Sequence, residues 1–160
     1  MKTRKELDKQ YELYSNGIQS HSNIQTAILV EKATPKKKLF CKVIERNDQM
    51  RGDTFRRAID SLTTIEHPNI HRVNELFTDD HAMYLVSESL NDQYNSLTES
   101  KTFLEQDVRV IIEQILRVLC HLESNGYTMK NLHPNNIFLR FGSPRELLIT
   151  DVGLGDVPGY

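Results

Sequence analysis

This chain has little cysteine, no excess of charge of either sign and no long apolar run, and each shortage argues against something. Lys+Arg number 20 and Asp+Glu 22, for a net charge of −2. A general nucleic-acid binder needs a strong basic excess, so that class is disfavoured. Basic residues do gather at Lys2, Arg4 and Lys5 and again at Lys36-Lys37-Lys38, which read as a solvated tail and a solvated turn. No charged-then-apolar segment opens the chain and no apolar stretch is long enough to span a bilayer. A soluble, cytoplasmic protein with no membrane partner is expected. The two cysteines, Cys41 and Cys120, sit in the apolar runs Leu39-Phe40-Cys41 and Val118-Leu119-Cys120 without CxxC spacing. They read as reduced core thiols. No repeat or low-complexity segment is present.

What is there is one domain's worth of alternating order. At 160 residues the chain can bury a sizeable core. Strands are predicted at Tyr11 to Ile18, Ile24 to Val30 and Leu39 to Ile44, an antiparallel meander that turns at Ala33-Thr34-Pro35. A helix follows from Phe55 to Ile65, with Phe55, Ile59 and Leu62 on one face and Asp53 and Thr54 as caps. His67-Pro68-Asn69 ends it, because proline cannot continue a helix. Strands at Arg72 to Phe77 and Met83 to Val86 flank the Asp79-Asp80 turn, and Asn91 to Ser100 reads as a polar connector. Phe103 to Leu122 is the clearest helix: Val108, Ile111, Ile112, Ile115, Leu116, Leu119 and Leu122 form a wide apolar stripe. Asn125-Gly126 stops it, and short strands at Ile137 to Leu139 and Leu147 to Ile149 flank Gly142-Ser143-Pro144. The order predicts an α+β fold, a five-stranded sheet with one helix followed by a helical start.

Two motifs stand near the end: Met129-Lys130-Asn131-Leu132-His133-Pro134-Asn135-Asn136 and Asp151-Val152-Gly153. Together they resemble the catalytic loop H-R-D-L-x-x-x-N and the D-F-G motif of protein kinases. Three more landmarks come in the same order. Leu39-Phe40-Cys41-Lys42 stands where V-A-I-K ends the third strand. Ile65-Glu66-His67-Pro68-Asn69-Ile70 is similar to the family's helix-to-strand turn, and Met83 to Glu88 to its fifth strand entering the hinge. The resemblance implies a tail at 1–10, a kinase-like small lobe at 11–87, a hinge and connector at 88–100, and the beginning of a large lobe at 101–160. The A-P-E motif and the later helices of the family are not in this stretch, so a truncated domain is expected. Part of the 103–122 stripe is then expected to lack cover.

The resemblance also implies roles. Lys42 matches the lysine that pairs with the α- and β-phosphates of ATP; the plainer reading is a strand lysine in solvent. Its usual glutamate partner falls on Ala58, which carries no charge. The phosphate-covering glycines fall at about Ser20, Ser22 and Gln25, and none is glycine. Serines there can still donate hydrogen bonds, which leaves Ser20 and Ser22 as cofactor-binding candidates with Lys42, Phe40 and the hinge residue Glu88. Phe40 takes the small adenine-roof position, and Ala27 is expected beside it, the pair conserving volume so that the phenyl ring partly fills the nucleotide pocket.

Asn131 stands at the catalytic aspartate, and an amide has no useful basicity near neutral pH. Lys130 keeps a charge but not the planar fork of arginine. His133 is either a loop histidine or a γ-phosphate contact. Asn136 and Asp151 match the two magnesium ligands; the alternative is a structural Asp-x-Gly, in which Gly153 supports the backbone turn and Asp151 caps it. The expectation is a catalytically impaired kinase-like module that binds a protein partner, an active kinase being one such partner. The rival expectation is a serine/threonine kinase using ATP and magnesium.

Overall fold

Alternating apolar residues close a six-stranded sheet around the first half of the chain, and its order is β1-β5-β6-β4-β3-β2. The computed structural model describes residues 2–14, 24–35, 37–46, 53–90, 93–99, 103–141 and 143–154. The strands are β1 (Lys2–Thr3), β2 (Tyr11–Tyr14), β3 (Ile24–Glu31), β4 (Lys38–Glu45), β5 (Val73–Thr78) and β6 (Ala82–Glu88). Helix α1 spans Arg4–Gln10 and α2 spans Asp53–Thr64. The pairings are antiparallel except for β1, which runs parallel to β5. The described residues divide into two units, one within Met1–Phe55 and Val73–Ser89, the other within Arg56–Arg72 and Leu90–Asp156.

In the first unit the expected tail at 1–10 is structured. The Thr3 backbone N–H and hydroxyl both donate to the Glu6 carboxylate, at 2.6 and 2.9 Å, which fixes the first turn of α1 in capping-box fashion. Leu7 and Tyr11 then join one buried cluster with Ala27, Leu29, Leu39, Cys41, Phe77, Ala82, Tyr84 and Val86. Around it, the Arg4 guanidinium lies 4.6 Å from the centre of the Tyr84 ring, and Lys2 forms an ion pair with Glu75 at 2.6 Å. Charged flanks made this segment look solvated; the period of a seven-residue helix with one buried leucine is too short to read from sequence. Cys41 is fully buried, and burial pushes its thiol up to about 12, so it stays protonated and inert.

The second unit is built on α3 (Glu105–Ser124), with a second sheet of order β7-β8-β9: β7 (Tyr94–Ser96), β8 (Ile137–Arg140) and β9 (Ser143–Ile149). The expected connector at 91–100 therefore supplies a strand and a single 3₁₀ turn, Leu97–Glu99. Ile111, Ile115, Val118 and Leu122 of α3 pack on Ile65, Ile70, Ile137, Leu139, Leu147, Ile149 and Val152. Each such side chain, once buried, stabilises by roughly 1.5–3 kcal/mol. The helix ends at Asn125, and Gly126 follows at φ 77, a left-handed position that glycine takes without strain. Cys120 is exposed, which corrects its expected place in the core: it lies on the face of α3 turned from the cluster. No helix among the described residues is long and apolar enough to cross a membrane.

Candidate functional site

The catalytic-type loop and the Asp-Val-Gly turn are tied into one hydrogen-bonded knot. Asn136 Nδ2 donates to the Asn131 carbonyl at 2.9 Å, and Asn131 Nδ2 donates to the Asp151 carbonyl at 2.8 Å. The Thr150 N–H closes the circuit on the Asn136 carbonyl at 2.8 Å. Twenty residues of sequence thus separate Asn131 from the group it holds. The loop itself turns through the 3₁₀ segment Pro134–Asn136, capped by His133, whose Nδ1 accepts from the Asn135 N–H at 3.2 Å. That contact gives His133 a local structural role.

Asp151 has φ 63 and Gly153 φ 87. A non-glycine residue in left-handed backbone is uncommon, though aspartate is among those that tolerate it. Here its carbonyl also accepts from Leu154 N–H at 3.1 Å, and Val152 and Leu154 are buried on either side of Gly153. Hydrogen bonds and packing together hold the conformation. Asn131 Oδ1 is buried and has no hydrogen-bond partner among the described residues. The site therefore presents an amide whose N–H is committed to the backbone and whose oxygen is an unused acceptor.

The turn at His67 supports this knot from below. His67 Nδ1 accepts from the Asn69 N–H at 3.0 Å, and Asn69 Nδ2 donates to Gln114 Oε1 at 2.9 Å and to the Leu147 carbonyl at 3.0 Å. Asn69 also accepts from Ile149 N–H, and His71 N–H donates back to Ile149, so the turn joins α3 to the strand that leads into Asp151. The His67 and His121 rings lie 5.1 Å apart. Burial lowers the His67 pKa below the ordinary histidine value, and His121 and Arg117 lower it further.

The folded state thus favours neutral His67, while the unfolded chain takes up the proton first as pH falls below about 6.5. This contribution to stability is complete above that value and is lost as pH falls through the lowered folded pKa. The expected result is an acid-side fall in melting temperature that His67→Asn flattens, since asparagine keeps an acceptor for the Asn69 N–H but does not titrate. An unchanged slope in pH-resolved thermal melts would refute the assignment.

In the first unit, Lys42 and Phe40 share one face of β4, because successive side chains alternate. Lys42 stands opposite Thr26 and Leu85, and Phe40 opposite Ile28 and Ser87. Both are half-buried. Ala27 is opposite Cys41 and belongs to the other, α1-covered face. The expected pairing of Phe40 with Ala27 is therefore corrected to Phe40 with Ile28: a one-residue offset in register moves every side chain to the opposite face. Glu88 is exposed and forms an ion pair with Lys37 at 3.8 Å. Ser20 and Ser22 lie outside the described residues, as does the side chain of Ala58. Lys42, Phe40 and Glu88 belong to the first unit, and Asn131, Asn136 and Asp151 to the second. Asn69 was missed as a site-supporting residue, and only its place in the His-Pro-Asn turn could have signalled it.

A protein kinase domain model matches residues 23–157. The chain belongs to the protein kinase domain family. It is 27% identical over 134 residues to a probable myosin light chain kinase of Dictyostelium discoideum, covering 82% of this chain and 42% of that protein. It is 28% identical over 117 residues to the serine/threonine-protein kinase cds1 of Schizosaccharomyces pombe, covering 72% and 25%. Among solved structures, Rad53 in complex with AMP-PNP aligns with a TM-score of 0.76 at 23% identity, over 92% of this chain and 39% of that one. A twitchin kinase fragment from C. elegans aligns at 0.70 and 24%, over 92% and 33%. The chain thus spans less than half the length of these relatives, and the structural likeness shows the kinase fold.

The family implies magnesium and a nucleotide, and the donors present suit the metal. Asn136 commits its amide nitrogen to Asn131, which leaves Oδ1 as a neutral oxygen donor, and Asp151 adds a carboxylate. One or two such ligands are what magnesium takes from protein, with water and phosphate oxygens completing its shell. No group of three or more His, Cys, Asp or Glu residues among the described residues forms an alternative metal cage. When bound, the ion would neutralise charge on phosphate oxygens.

Proposed function

We propose that this kinase-family chain is catalytically impaired and works as a protein-binding regulatory module. The observation that carries the reading is the Asn131 side chain, which donates its N–H to the Asp151 carbonyl at 2.8 Å from the position where the family pattern places the base. An amide there can orient the loop but cannot take a hydroxyl proton. Ala58 at the helix-glutamate position and the missing loop glycines weaken phosphate positioning as well, and positioning with electrostatics carries most of phosphoryl transfer. Without turnover, a kinase-like fold acts through what it binds. A protein partner follows, and an active kinase is the first to test.

The second reading is an ATP-dependent serine/threonine protein kinase, or part of one. Retention of Lys42, Asn136 and Asp151, together with serine/threonine kinase relatives, favours it. In that case Lys42 pairs with phosphates and Asn136 and Asp151 hold magnesium.

Thermal melts with ATP, magnesium or both separate the two, because a ligand that binds only the folded state raises the midpoint once it exceeds its dissociation constant. The impaired module gives no phosphate transfer to a generic protein substrate, and with an occluded pocket no shift at millimolar ATP. A magnesium-dependent shift followed by transfer would overturn the proposal.

A further inference from the structure

The turn between β3 and β4 carries a motif that the candidate nucleotide site does not use. Ala33-Thr34-Pro35-Lys36-Lys37-Lys38 puts a hydroxyl directly before proline and a lysine at the third position after it. Thr34 and Pro35 are exposed, as are Lys32, Lys37 and Lys38 beside them. Four lysines between positions 32 and 38 keep this turn in solvent, because lysine is almost never fully buried unless paired. At its tip the Thr34 N–H donates to the Glu31 carbonyl at 3.1 Å, and the Lys37 N–H donates to the Thr34 carbonyl at 2.9 Å. The second bond closes a turn with Pro35 in its second position, where the fixed φ of proline fits. The Thr34 hydroxyl has no hydrogen-bond partner among the described residues.

We propose that Thr34 is a phosphate-acceptor site for a separate proline-directed serine/threonine kinase, and that the lysines of the same turn hold the phosphate once attached. Kinases of that class select a hydroxyl followed by proline, and a basic residue at the third position after the hydroxyl adds a charged contact. Thr34, Pro35 and Lys37 supply all of these. Proline also biases the residue before it towards extended backbone, the form in which a chain enters a kinase cleft, so the exposed turn bonds are what has to open. The other hydroxyl-proline step of the chain, Ser143-Pro144, has Glu146 at the third position and lies within β9. In the reaction the Thr34 hydroxyl oxygen bonds to the γ-phosphorus of ATP, the bond to ADP breaks, and the hydroxyl proton passes to the base of the kinase. The product carries close to two negative charges near pH 7. It enters a stretch, 31–38, that holds four lysines against the single carboxylate of Glu31. Lys32 is already tied to the Asp8 carbonyl at 2.7 Å, whereas Lys37 meets Glu88 only at 3.8 Å and in solvent. The phosphate therefore draws on Lys37 first and competes with Glu88 for it, since phosphate oxygens make the stronger charge-assisted bonds.

This inference goes beyond the proposed function and does not rest on it, because here the chain receives phosphate and transfers none. The 160-residue chain is incubated with magnesium, ATP and an active cyclin-dependent kinase with its cyclin, and the modified residue is located by mass spectrometry. The expected result is a phosphate at Thr34 that Thr34→Ala and Pro35→Ala abolish and that ATP without the added kinase does not produce. Lys37→Ala should slow the modification by roughly tenfold at low substrate concentration, the loss of one charged contact. Phosphorus NMR should place the second pKa of the attached phosphate below its ordinary value of about 6. In K37A, modified to completion, that pKa should rise. No phosphate at Thr34, or a P35A variant modified as fast as the parent, overturns the site. Labelling of Thr34 with ATP alone would make it a product of the chain's own activity and overturns the separate kinase. A phosphate pKa at or above about 6 overturns the lysine clamp.

Discussion

Leu7→Ala should destabilise the protein by about 2–5 kcal/mol, the range for emptying a fully buried leucine site. Leu7 is 0% exposed and packs with Leu29, Leu39, Cys41, Phe77 and Val86 on one face of the six-stranded sheet. Its loss removes apolar contacts and leaves a cavity beneath α1, which the capping Thr3–Glu6 contacts and the Lys2–Glu75 ion pair are too exposed to offset. Lys5→Ala, two residues earlier on the exposed side of α1, should stay within about 0.5 kcal/mol. Denaturant titration of the two variants decides the matter. Equal midpoints would mean that residues 2–11 do not form part of the sheet's core.

Asn131→Asp should weaken the fold by about 1–3 kcal/mol at neutral pH, the cost of stranding a buried polar partner, and should not create phosphate transfer. An ionised aspartate is acceptor-only, so it cannot replace the N–H that reaches the Asp151 carbonyl. It would place an oxygen against an oxygen in a part-buried site, which raises its pKa in the folded state. The sign follows: the protonated acid can donate, so the variant approaches the parent at low pH and falls behind as pH rises from the ordinary aspartate value of about 3.9 through the raised folded one. Comparing urea midpoints of parent and variant at pH 4 and pH 7 reads the effect. A variant as stable as the parent at pH 7 would show that the Asn131–Asp151 link carries no weight. A variant that phosphorylates a protein substrate would show that the base alone was missing, which contradicts the impaired-module reading.

The two results bear on each other through the division of the chain. Leu7 acts within the first unit and Asn131 within the second, with no shared partner among the described residues, so their effects should add. The candidate residues of each unit therefore have their own support. Packing of the N-terminal segment holds the sheet that carries Lys42. The knot of Asn131, Asn136, Thr150 and Asp151 holds the Asn136 and Asp151 backbone in place.

Much of this was legible in linear order. The strands from Tyr11, Ile24, Leu39, Arg72 and Met83 and the long helix all lie within a few residues of their expected places, because hydrophobic alternation and helical spacing are local properties. The kinase-type motifs were legible for a related reason: a loop that turns sharply around Pro134 and Gly153 needs particular residue types at particular offsets. The family match over residues 23–157 agrees with them.

Sequence by itself determined the family, the α+β order and the residue types of the two motifs, asparagine at 131 and 136 and aspartate at 151. Only the tertiary structure decided that residues 2–10 add an edge strand and a covering helix to the sheet, that Phe40 faces Ile28 and not Ala27, and that Cys120 is exposed. It alone showed that Asn131 holds Asp151 and that Asn69 ties α3 to β9. The physical reason is range. Periodicity and turn chemistry depend on neighbours three or four residues away, whereas strand register, burial and these side-chain bonds join groups 20 to 78 residues apart. Their partners are set by how the elements pack, and no short window of sequence contains both ends.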